Sequence, residues 1–133
     1  MTNNYHDQYI ALGQQFADNI PVLRAIGDET RQHIILCMFE LPCRSQGGAR
    51  VGEIAQKTNL SRASVFHHIK ILKNAGIVGM RSEGTKNYYF LLGDKSSFDP
   101  LLKLFQNIID FSQKFNERKN IKPAVVTEAG NIN

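Results

Sequence analysis

The chain has 133 residues, of which 42% are apolar, 9% aromatic and 21% charged, with a formal net charge of +4. That balance excludes a disordered segment, which has too few apolar residues to fold, and a collagen or disulfide scaffold, which needs far more Gly or Cys. No apolar run approaches the ~20 residues that span a bilayer, and the first residues lack a basic start followed by an apolar stretch, so neither a membrane protein nor a secreted one is expected.

Residues 7–20 place Ile10, Phe16, Ala17 and Ile20 in a modest helical stripe, and Pro21 either ends that helix or opens a short turn. Asp28 is a suitable cap for a helix running from Thr30 through Phe39, with Pro42 just past its end. Residues 43–48 have no periodicity and are expected to form a loop. Val51 to Thr58 forms a short helix with Ile54 and Ala55 facing inward, and Asn59 suits the left-handed turn that follows. Ser61 caps a second helix in which Val65, Ile69 and Leu72 recur at helical spacing, and Gly76 stops it. Two short helices joined by a tight turn form a helix-turn-helix.

Beyond Gly76 the period changes from helix to strand. Residues 77–83 and 87–92 read as two strands joined by Gly84-Thr85-Lys86, a hairpin with Arg81, Lys86 and Asn87 near its tip. The fold class is therefore mainly α with a small β-hairpin, a winged helix-turn-helix. Asp99 and Pro100 suit the cap and first position of a last helix. Its apolar set (Leu101, Leu102, Leu104, Phe105, Ile108, Ile109, Phe111, Phe115) is too wide for one stripe, with Leu104 and Phe111 expected off the main face. A terminal helix apolar on two sides covers its surplus with another subunit. One domain is expected over residues 12–115, with a tail over 119–133.

Charge concentrates in the middle of the chain. Residues 50–95 hold eight bases (Arg50, Lys57, Arg62, Lys70, Lys73, Arg81, Lys86, Lys95) against three acids (Glu53, Glu83, Asp94), a local net of +5. Such a segment points to a polyanion partner.

Three segments carry a resemblance to a known family. Residues 23–31 (Leu-Arg-Ala-Ile-Gly-Asp-Glu-Thr-Arg) resemble the opening signature of the ArsR (ArsR/SmtB) family of bacterial transcription regulators. Residues 61–78 are similar to its recognition helix and exit, and residues 82–91 to its wing. The resemblance implies a homodimer, joined through its first and last helices, that represses genes by binding double-stranded operator DNA and releases it on a signal. The two cysteines, Cys37 and Cys43, are too few for an extracellular framework, so a reducing cytoplasm is expected. The resemblance also implies DNA contacts from Ser61, Arg62, Ser64, His67, His68, Lys70 and Lys73, and from Arg81, Lys86 and Asn87 of the wing. Arg62 and Ser64, at the start of the helix, suit base edges, whereas Lys70 and Lys73 suit phosphates. Phe66 stands where the family has a small polar residue, and either touches a thymine methyl or packs against the wing, the latter being preferred. His67 and His68 point about 100° apart and cannot easily share one metal ion; His68 is expected to be partly buried with its ring satisfied by backbone.

The family's metal sites do not transfer. Where metal-responsive members carry Cys-Val-Cys, this chain has Arg50-Val51-Gly52, and its last helix offers Asp99, Asp110 and Glu117 but no histidine. No cofactor is expected. His33, Cys37 and Cys43 are a candidate metal cluster, and Cys37 with Cys43 a candidate redox pair, but Cys37 as a small core hydrophobe is the stronger reading. A winged helix used for protein or RNA contact is the alternative function. Catalysis is not expected, because no nucleophile triad, phosphate loop or paired-carboxylate motif occurs.

Overall fold

The computed structural model describes residues 4–41, 47–93 and 97–122. Its elements are α1 (Asn4–Asp18), α2 (Ile20–Ile26), α3 (Glu29–Glu40), α4 (Val51–Thr58), α5 (Arg62–Asn74), β1 (Val78–Glu83), β2 (Lys86–Leu91) and α6 (Asp99–Arg118). No helix is long and apolar enough to cross a membrane among the described residues.

Local chemistry places most of the boundaries. Asp28 accepts the Arg31 N–H at 3.0 Å, and Ser61 accepts the Ser64 N–H at 3.1 Å, each satisfying a donor that a helix start leaves open. Asn59 adopts the left-handed conformation (φ 60°) between α4 and α5. Gly76 does the same (φ 79°) after α5, where a side chain would also press on the Ser97 hydroxyl that donates to the Gly76 carbonyl.

Several details differ from the sequence reading. Pro21 opens a separate helix, α2, too short for periodicity to reveal. Lys86 belongs to β2, paired with Glu83, so the turn is only Gly84-Thr85. Phe98 rather than Asp99 occupies the cap of α6, with Asp99 inside the first turn. After the loop, Ala49 bridges to Tyr89 through two backbone hydrogen bonds of 2.7 and 2.8 Å, a one-residue third strand that ties the hairpin to the start of α4.

The core gathers Ile34, Ile54, Val65, Ile69, Leu72, Val78 and Leu104, all fully buried, so α3, α4, α5, β1 and α6 share one apolar centre. Among the described residues Asn19 is the buried polar exception, and its side-chain amide donates to the Gln15 and Pro100 carbonyls, linking α1 to the start of α6. Along α6 the expected phase is corrected. Leu101 and Leu104 are buried, and Phe111 is half-buried with its ring 5.0 Å from that of Tyr5. The uncovered stripe is instead Leu102 (62% exposed), Phe105 (45%) and Ile109 (50%). These lie at i, i+3 and i+7, one line along the helix. Tyr9, Ile10 and Phe16 of α1 are exposed as well.

Candidate nucleic-acid interface

Helix α5 buries Val65, Ile69 and Leu72. With 100° between successive residues, the opposite side carries Ala63, His67, Lys70 and Asn74, all exposed. Arg62, Phe66 and Lys73 flank this stripe on one side and are exposed too. Phe66 does not pack away against the wing: it is 53% exposed and lines a groove with Arg50, Gly52, Arg62, Thr85 and Asn87. The groove runs between the start of α4, the start of α5 and the hairpin tip.

Gly52 explains how Arg62 sits there. A Cβ at Gly52 would stand 3.0 Å from Arg62 Nη2 and 3.2 Å from its Cζ, so the bare backbone makes room for the guanidinium. Arg50 and Arg62 line this groove together with Glu53, so two cationic side chains face one carboxylate there and the groove is cationic on balance. The Glu53 carboxylate accepts the Arg50 N–H at 3.0 Å and caps the start of α4.

The remaining candidates divide. The hydroxyl of Ser61 and the N–H of Ser64 are joined in the cap of α5, and Ser64 is half-buried. On the hairpin, Lys86 is exposed, and Asn87 is exposed while accepting the Ser82 hydroxyl proton at 2.7 Å. Arg81 folds back, 3.4 Å from Glu83 and 5.2 Å above the Tyr88 ring. His68 is half-buried on the flank toward α3. Its ring partner is not backbone but the Arg31 side chain, with Nη1 at 3.2 Å from Nδ1. Burial, then the Arg31 charge, holds His68 below its ordinary value of 6.5.

Cys37 is buried, with its sulfur 3.8 Å from His33 Nε2, whereas Cys43 lies outside the described residues. Among the described residues, no three His, Cys, Asp or Glu side chains gather as a metal ion would require. Sequence reasoning missed Arg31 and Gly52. The first acts across 37 positions of chain, and the second acts by having no side chain.

The sequence pattern described as "Bacterial regulatory protein, arsR family" matches residues 28–79, from the cap of α3 into β1. An uncharacterized HTH-type transcriptional regulator of Methanocaldococcus jannaschii is 35% identical over 74 residues, which cover 56% of this chain and 78% of the relative. The transcriptional repressor SdpR of Bacillus subtilis is 36% identical over 70 residues, covering 53% of this chain and 71% of the repressor. Among solved structures, a homodimeric winged helix-turn-helix DNA-binding domain of Mycobacterium bovis, described as a possible ArsR-family transcriptional regulator, is similar with a TM-score of 0.50. It is 26% identical, and the match covers 83% of this chain and 88% of that one.

Proposed function

Because the chain belongs to the ArsR family of bacterial regulatory proteins, we propose that this DNA-binding transcriptional regulator is a cytoplasmic homodimeric repressor that reads an inverted-repeat operator with α5. Residues 12–115 form its DNA-binding and dimerisation unit. The observation that carries the reading is the exposed stripe of α5, with His67 and Lys70, set beside a groove where Arg50 and Arg62 converge. A solvated helix face needs no such convergence, whereas a phosphate-lined groove does. Two-fold symmetry would set two copies of α5 into major grooves about 34 Å apart.

Within that frame Arg62, at the N-terminal end of α5, reads a base edge, as the first residues of recognition helices do. Ser61 and Ser64 seat the start of the helix against the backbone, and His67 faces the bases. Lys70, Lys73, Lys86 and Asn87 set affinity through phosphates, whereas Arg81, folded onto Glu83 and Tyr88, stiffens the hairpin that carries Lys86 and Asn87. Salt titrations by fluorescence anisotropy test these roles. Arg62→Ala is expected to lower the preference for operator over scrambled duplex by roughly 10-fold or more. Lys73→Ala is expected to weaken both duplexes alike and to flatten the salt slope by about 1 for each protomer. Equal loss of preference in the two variants would contradict the division of roles.

The exposure of Phe66 supports contact with a thymine methyl in the same groove. Replacing operator thymines with deoxyuridine removes those methyls and should weaken the wild-type protein several-fold. Phe66→Ala should show a smaller penalty. The same penalty in both proteins would remove Phe66 from the reading surface.

A further inference from the structure

We propose that Arg31 is a positioning residue for DNA recognition, holding α5 against the α2–α3 corner through the neutral imidazole of His68. The inference rests on α5 being the DNA-reading helix. It assigns His68 the role of a joint behind the reading surface instead of a contact on it.

The Arg31 side chain is 12% exposed, and each of its nitrogens is engaged. Nε donates to the Ala25 carbonyl at 2.9 Å, Nη2 donates to the Arg24 carbonyl at 3.0 Å, and Nη1 meets His68 Nδ1 at 3.2 Å. Asp28 adds a carboxylate oxygen 3.8 Å from Nη2. A planar fork held at both carbonyls presents its remaining nitrogen in a fixed direction. The joint therefore links the last residues of α2 and the start of α3 to the middle of α5. His68 is next to His67 and one turn beyond Ser64, so a small rotation of α5 at this joint displaces every residue of the exposed stripe. Recognition tolerates little such displacement.

Guanidinium nitrogens only donate, so Nδ1 must accept and the ring proton must sit on Nε2. A protonated ring would oppose two donors at 3.2 Å, and the contact would open. The groups acting on the ring are Arg31 and Asp28 from α3 and its cap, and His67 on α5 itself. Burial, Arg31 and His67 disfavour the proton, while Asp28 favours it. Arg24, the charged residue of α2, enters only through its carbonyl. Glu53 and Lys57 of α4 are engaged with the Arg50 N–H and Glu40, and Arg81 and Glu83 of β1 with each other. The Asp28 carboxyl, held below 3.8 chiefly by the Arg31 N–H, stays ionised throughout mildly acidic pH.

The sign follows from linkage. The folded state binds the His68 proton less readily than the unfolded chain, so the joint contributes fully above pH 6.5 and is lost as pH falls below that value. A comparison that removes only the His68 titration isolates this effect.

The test uses the full-length protein and a labelled duplex selected from a random pool, with anisotropy read from pH 7.5 to 5.5. His68→Ala and Arg31→Lys should weaken binding across that range. His68→Asn offers an acceptor that does not titrate, so it should recover most of the loss seen in His68→Ala. Relative to His68→Asn, the wild type should lose affinity progressively as pH falls below 6.5, approaching about tenfold once the ring is protonated, as one charge-assisted hydrogen bond is lost. Superimposable pH profiles of wild type and His68→Asn would overturn the proposal. Nitrogen NMR of the His68 ring gives a readout independent of DNA. An Nε2–H tautomer at pH 7.5 that is lost in Arg31→Lys supports the joint, and an Nδ1–H tautomer overturns it. Should no duplex bind the wild type, the DNA-reading assignment of α5 fails, and the tautomer alone decides the joint.

Discussion

Replacing Ile109 with Asp is expected to turn the protein into a monomer and to lower operator affinity by at least about 100-fold. Leu102, Phe105 and Ile109 form one exposed apolar line along α6, while Leu101 and Leu104 on another face already fill the core. In a two-fold dimer each copy offers the same line to the other, so a single substitution is felt twice. A carboxylate there would be buried without a partner, which is strongly unfavourable. The loss in affinity follows because two linked half-sites gain roughly 10²–10⁴ over one. Phe39→Asp, on the exposed side of α3 and 72% accessible, is the control of equal chemistry. It should leave the dimer intact. Light scattering and anisotropy read both variants; a dimeric Ile109→Asp protein with undiminished affinity would place the subunit interface elsewhere.

The second large effect separates two neighbours on α5. Ile69 is fully buried in the shared core, and Lys70 beside it is exposed. Ile69→Ala is expected to cost about 2–5 kcal/mol of stability, because the removed methyl groups leave a cavity that rigid neighbours only partly fill. At this chain length that lowers the thermal midpoint by on the order of 10 °C. Lys70→Ala should change stability by less than about 0.5 kcal/mol, yet weaken DNA binding and flatten its salt dependence. Calorimetry paired with salt titration checks both. A stability loss in Lys70→Ala equal to that in Ile69→Ala would mean that the exposed stripe serves the fold.

What could be read from the sequence was local. Asp28 and Ser61 announce helix starts because a cap needs only its own side chain and a donor three residues on. Asn59 announces the turn because few other residues tolerate its conformation. Ile54, Ala55, Val65, Ile69 and Leu72 show their burial through spacing alone. The phase of α6 was not legible in this way. Its apolar residues cover two faces, and α1 decides which face is covered, through contacts such as Tyr5 with Phe111. Helix α2 spans too few residues for a period to emerge, and Ala49 joins the hairpin through backbone atoms that carry no sequence signal.

The candidate interface shows the same limit. Lys70, Lys86 and Arg62 could be named because exposed bases in this motif have a recurring role. Arg31 could not, since its partners Ala25, Arg24 and His68 meet it only after folding. Gly52 read as a missing thiolate; its positive role, making room for the Arg62 guanidinium, requires the packed helices. Phe66 shows the converse error, an aromatic side chain expected to pack that stands exposed in the groove.

Selection of bound duplexes from a random pool by the reduced protein at physiological salt tests the central claim most directly. Sequence-specific reading by a two-fold dimer predicts enrichment of an inverted repeat whose half-sites lie about one helical turn apart. Arg62→Ala should erode that enrichment. A pool that emerges without any enriched sequence, bound weakly and equally by the wild type and Arg62→Ala, would contradict it and leave a basic winged helix whose partner is protein or RNA.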